Sequence, residues 1–136
     1  MYLFNKNQYQ KLLREGCDFA RRNSGMEICG QMIHTGYYLK FVQTQNFSRK
    51  AASFILSKID VRQIVAAAKI LDQEVVGTFR SHPVGIAIPG SSDIKFAVDD
   101  SLMFIFDCTD KKGKLWKFRK GRAQSMKFKF TPRIDI

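Results

Sequence analysis

The sequence predicts an α/β (α+β) domain, a mixed β-sheet packed by two main helices. Two observations carry this expectation. Apolar residues recur at three- and four-residue spacing near the N-terminus, as on one face of a helix, and a capping pattern opens a second helix over 61–71. Short apolar segments bounded by Gly, Asp, Asn and Ser lie between and after them, as strands do. The resulting order is helix, two strands, a short strand, helix, strand, irregular loop, short helix and further strands, which builds a mixed sheet with helices against it.

Residues 5–23 read as the first helix. Asn5 is placed to cap it, and Tyr9, Leu12, Leu13, Cys17 and Ala20 share one face. Ser24-Gly25 ends it. Residues 26–35 read as a strand, Gly36 turns the chain, and 37–44 return as a second strand. A short strand is expected at 54–56. Asp60 is expected to cap a helix over 61–71, with Gln63 placed to complete a capping box. Residues 74–81 read as a strand and 82–91 as an irregular loop with two prolines. Ser92 is the expected cap of a short helix at 93–98. Residues 102–108 and 114–118 read as a strand pair joined at Asp110-Lys111-Lys112-Gly113, and 125–130 as the last strand. Strict alternation in Met126-Lys127-Phe128-Lys129-Phe130 turns the apolar side chains to the core and the lysines to solvent.

A chain of 136 residues is one domain, 1–136, with a sizeable core. Its longest apolar runs fall far short of the ~20 residues of a membrane span, and no signal peptide is expected at its start. Cys17, Cys29 and Cys108 have no metal-ligand spacing. Their odd number predicts free, core-type thiols and a reducing, cytoplasmic setting. The net charge is +11, and the region 111–133 holds ten Lys or Arg with no Asp or Glu. Such a region draws an acidic partner, whether nucleic acid, protein or an anionic membrane surface, or else is a solvated sheet face. Trp116, Phe118, Phe128 and Phe130 would serve as stacking platforms only if they faced out.

The chemistry-bearing segment is Gly77-Thr78-Phe79-Arg80-Ser81-His82-Pro83, running on to Pro89-Gly90-Ser91-Ser92-Asp93, with Glu27-Ile28-Cys29-Gly30 upstream. A catalytic zinc needs about three protein ligands and an open position for water. The bound water's pKa falls to about 7, a carboxylate moves its proton, and a hydroxyl steadies the oxyanion.

These residues, with Asn46 and Phe54, resemble the JAB/MPN (JAMM) metallopeptidase family in order and spacing over roughly 1–118. That family's pattern is an upstream Glu, H-[ST]-H-P, then a Ser and x-x-D. The resemblance implies a cytidine-deaminase-like fold. It also implies a zinc hydrolase that cuts peptide or isopeptide bonds after the tail of a ubiquitin-like or sulfur-carrier protein. Glu27 would be the general acid/base, His82 and Asp93 zinc ligands, and Ser81 the residue between the two histidines. Members often pair as homodimers, and some lack ligands and serve as non-catalytic scaffolds.

Two positions depart from the pattern: Arg80 stands for the first His and Gly90 for the Ser. Arg80 has no lone pair and cannot bind zinc, so catalysis is expected to be impaired or lost. Cys29 has the parity to substitute but belongs to the E-x-C-G element, and His34 points to the opposite face. Ser91, one residue late, is the candidate to replace part of the missing oxyanion donor. The Arg80 guanidinium either occupies the metal's place, pairing with Asp93 and Glu27, or projects outward. Three readings follow: a zinc peptidase, a non-catalytic domain that binds a protein tail as an added strand, and a nucleic-acid-associated basic protein.

Overall fold

The computed structural model describes residues 1–51, 53–83 and 87–132. Within them run β1 (Tyr2–Phe4), α1 (Lys6–Arg22), β2 (Cys29–His34), β3 (Leu39–Thr44), α2 (Lys58–Ile70), β4 (Glu74–His82), α3 (Ser91–Phe96), β5 (Leu102–Asp107), β6 (Lys112–Arg119), β7 (Arg122–Met126) and β8 (Phe128–Phe130). The strands form one mixed sheet in the order β7-β6-β5-β4-β2-β3-β1-β8. β7 and β8 lie at opposite ends of that order yet are separated in the chain by Lys127 alone. The sheet therefore curls until its two edges share one stretch of chain, and the result is close to a barrel.

Helix α1 fills the concave side. The Asn5 side chain accepts from the Gln8 N–H at 2.9 Å, as the sequence led us to expect. Tyr9 and Leu12 pack with Phe4, Phe41, Phe79, Phe104 and Phe106 in the main core. The Tyr9 hydroxyl accepts from the Gly113 N–H at 2.6 Å, fixing the helix to β6. Gly16 is required by close approach, because a Cβ there would lie 2.8 Å from the Ser81 Cβ. A smaller core on the outer face joins Ala87, Met103, Ile105 and Phe118, with Phe54, Ile94 and Trp116 against them.

Several expectations need correction. Ser57, not Asp60, caps α2: its hydroxyl accepts from the Asp60 N–H at 3.2 Å. Asp60 sits in the first turn, and its carboxylate takes the Gln45 N–H at 3.2 Å instead. Replacing Ser57 by Ala is expected to cost about 1 kcal/mol, read from urea denaturation midpoints. The short helix begins one residue before Ser92, with Gly90 as its cap. β1 was not anticipated, since three residues are too few to show a pattern. The expected last strand is two, β7 and β8, because its two halves pair with opposite edges of the sheet. The alternation at 126–130 holds: Met126, Phe128 and Phe130 pack against the core and Lys127 and Lys129 are exposed. Phe118 is buried and the Trp116 ring N–H donates to the Ala87 carbonyl at 3.0 Å, so neither is a free stacking platform.

The thiols also differ. Cys17 and Cys108 form a disulfide with Cα atoms 5.4 Å apart, tying α1 to the residue after β5. Only Cys29 remains free, and it is fully buried. Among the described residues no helix is long and apolar enough to cross a membrane. The expected loop at 82–91 lies partly outside the described residues, at 84–86, and so does the basic region's last residue, 133.

Candidate functional site

β4 is flanked by β2 on one side and by the parallel strand β5 on the other. Alternation along it sends Phe79 and Ser81 toward α1 and the main core, and Arg80 to the outer face. There Arg80 is flanked by its paired neighbours Cys29 on β2 and Ile105 on β5. His82 is expected in the loop by pattern but is the last residue of β4.

Arg80 is 8% exposed. Its Nη2 donates to Asp93 Oδ2 at 2.8 Å. Its guanidinium carbon stands 5.3 Å from the centre of the Phe54 ring, a cation–π contact. Among the described residues its Nε has no partner. Asp93 is in the first turn of α3, and the same oxygen accepts from the Gly90 N–H at 2.7 Å. The carboxylate thus closes the helix start and holds the arginine together.

Glu27, two residues before β2 begins, is wholly buried, and neither of its carboxylate oxygens has a hydrogen-bond partner among the described residues. Burial pushes its pKa up from 4.5 to about 7. The Arg80 charge opposes that rise and the Asp93 charge adds to it. The backbone around Glu27 is tightly held. Its carbonyl accepts from the Asn46 side chain at 3.0 Å. The next amide, Ile28 N–H, donates to Ser81 Oγ at 3.0 Å, and Ser81 N–H donates to the Ile28 carbonyl at 3.0 Å. Ser81 is thus turned away from Arg80, and its hydroxyl holds the segment that carries Glu27.

Asn46 has a positioning role that its place in the sequence does not disclose. Its amide also donates to the Ser53 carbonyl at 3.0 Å, and its carbonyl oxygen accepts from Ser48 N–H at 2.9 Å and Ile55 N–H at 3.0 Å. These bonds pin the segment that lays Phe54 on Arg80. The signal available was an Asn opening a polar loop, the usual mark of a side chain that bonds backbone.

The other candidates are placed as follows. His82 is partly exposed, its Nδ1 is buried without a partner among the described residues, and its carbonyl accepts from Cys108 N–H at 3.1 Å. Gly90 is exposed, and a Cβ there would meet Asp93 Oδ2 at an ordinary 3.5 Å, so a serine would fit sterically. Ser91 opens α3 and is exposed. Cys29 lies 3.8 Å from Thr44 Oγ1, and burial pushes its thiol up to about 11. Alongside Asp93 runs a groove of about 470 Å³ whose walls include Phe54, Leu56, Thr78, Phe96 and Phe118.

These residues do not fit a catalytic zinc. Arg80 has no lone pair to give, and it already holds the Asp93 oxygen that zinc would use. No three His, Cys, Asp or Glu side chains among the described residues come together so as to hold a metal ion.

No protein-family model matches the chain, and no curated protein matches it. Solved structures do resemble it. A protein of Desulfitobacterium hafniense shares the fold with a TM-score of 0.72 at 20% identity, over 99% of this chain and 96% of that one. A protein of Salinibacter ruber does so with a TM-score of 0.63 at 16% identity, over 100% and 95%. A JAB1/MPN domain protein of Archaeoglobus fulgidus aligns with a TM-score of 0.48 at 14% identity, over 90% of this chain and 92% of that one.

Proposed function

We propose that the chain is a JAB/MPN-type, cytidine-deaminase-like domain in which Arg80 takes the zinc's place, and that it binds the tail of a ubiquitin-like or sulfur-carrier protein without cutting it. The observation that carries this is the 2.8 Å contact from Arg80 Nη2 to Asp93 Oδ2. The guanidinium supplies the positive charge beside Asp93 and Glu27 that a dication would otherwise supply. It offers no Lewis acidity and activates no water. The apolar groove beside Asp93 gives an extended chain a place to seat alternate side chains. The basic β6–β7 hairpin, with Arg119, Lys120 and Arg122 around one surface cavity, supports attraction of an acidic partner surface.

Elemental analysis of the purified chain beside an Arg80→His variant tests the proposal. The natural chain is expected to carry no zinc, while the variant, with two histidines and Asp93, gains it. Stoichiometric zinc in the natural chain would overturn the proposal and turn the question to peptidase assays. Failure of Arg80→His to gain zinc would sink the claim that this is a former metal site.

A further inference from the structure

Away from the Arg80 site, two sulfurs meet at the surface. Cys17 on α1 and Cys108 after β5 are bridged, and both residues are partly exposed. The bridge borders two surface cavities. One, of about 250 Å³, is walled by Cys17, Arg14 and Lys111 among others. The second, of about 350 Å³, is walled by Cys17, Cys108, Arg21, Pro83 and Lys111 among others. Among the described residues Asp18 is the one acidic residue in either wall, and it is engaged by Arg21 at 3.0 Å. Arg14 and Lys111 are thus the surplus charge beside the sulfurs. Such surroundings draw an anionic thiol in and stabilise the cysteine thiolate that leaves when the bond is attacked. Cys29 is the contrast. It is fully buried with its thiol pushed up, so it is inert to exchange.

We propose that Cys17–Cys108 is a reversible thiol-exchange site that takes small anionic thiols of the glutathione class. The first glutathione thiolate attacks one protein sulfur. The S–S bond breaks, and its electron pair leaves on the other cysteine as a thiolate beside Lys111. A second glutathione thiolate attacks the glutathione sulfur of the mixed disulfide and frees the first cysteine. Two glutathione thiols are oxidised to one glutathione disulfide, the protein disulfide is reduced to two thiols, and the protons released by glutathione return to the cysteines. The bridge is also next to the motif strand. Cys108 N–H donates to the His82 carbonyl at 3.1 Å, and Pro83 shares the cavity wall. Opening the bond therefore releases the end of β5 from α1 at that point.

The test equilibrates the full chain in native buffer with graded ratios of reduced to oxidised glutathione, removes the glutathione by rapid desalting, and labels accessible thiols in native buffer before peptide mass spectrometry. Cys17 and Cys108 are expected to label together, with a glutathione adduct at one of them on the way, while Cys29 stays unlabelled. Hydrogen exchange at the Cys108 amide should rise in the reduced chain. Arg14→Glu with Lys111→Glu is expected to slow reduction by glutathione about tenfold and leave reduction by neutral β-mercaptoethanol unchanged. Should that variant not fold, added salt replaces it: it should slow glutathione and not the neutral thiol with the natural chain. Labelling only in denaturant, labelling of Cys29 first, or equal sensitivity of both reductants to charge would each overturn the proposal.

Discussion

Replacing Arg80 by methionine is expected to lower the stability of the folded chain by about 3–5 kcal/mol, the cost of removing one partner from a buried ion pair. For a domain of this size that corresponds to a fall in Tm of roughly 10 °C or more. The Arg80 and Asp93 side chains are 10% and 11% exposed, so solvent screens the pair little. Methionine fills the space over Phe54 but leaves Asp93 with only the Gly90 N–H among the described residues. It also leaves Glu27 buried without its favourable charge. Adding Asp93→Asn should recover part of the loss, because the second change removes the stranded carboxylate. Urea denaturation of the single and double variants at pH 7 measures both. A loss below about 1 kcal/mol for Arg80→Met is what an exposed pair would give, and would refute the guanidinium's place at the centre of the site.

Replacing Glu27 by glutamine is expected to stabilise the chain by about 3 kcal/mol at pH 8 and by less than about 1 kcal/mol at pH 5. The sign follows from the raised pKa. A carboxyl at about 7 when folded and 4.5 when unfolded makes the folded chain the better proton binder between those values. The contribution is fully present below pH 4.5 and is lost as pH rises through 7. Above that, the natural chain holds a buried carboxylate with no hydrogen-bond donor among the described residues. Glutamine carries no charge to bury, so its stability should be flat over the window. Denaturation midpoints at pH 5, 6, 7 and 8 for both chains test this. Parallel pH profiles would mean that Glu27 does not titrate in the window.

Much of the site's plan is legible along the chain. Alternation on β4 puts Arg80 and Phe79 on opposite faces, and the spacing from Arg80 to Asp93 lets a residue in the first turn of α3 reach back to the strand end. The pairing of Arg80 with Asp93 is therefore foreseeable from residue types and parity. The companion expectation, a bond from Arg80 to Glu27, is not met: Glu27 feels the arginine's charge but accepts no hydrogen bond from it. The Asn5 cap and the alternation at 126–130 are local patterns, and both hold. The choice of Asp60 over Ser57 fails because both are good capping residues three positions apart, and the contact to Gln45 that engages Asp60 comes from another element.

By itself the sequence determined the mixed helix-and-sheet architecture, the faces taken along β4 and at 126–130, and the absence of a lone pair on the Arg80 side chain. Those properties follow from periodicity and from side-chain chemistry, which act over a few residues. Only the tertiary structure decided that Cys17 and Cys108 meet, 91 positions apart in the chain. It alone decided that one stretch of chain joins both edges of the sheet, that Ser81 turns inward to hold Ile28, and that Glu27 is sealed from water. Each of these depends on which distant surfaces pack together. Burial and long-range pairing are properties of the assembled fold, and no local pattern encodes them.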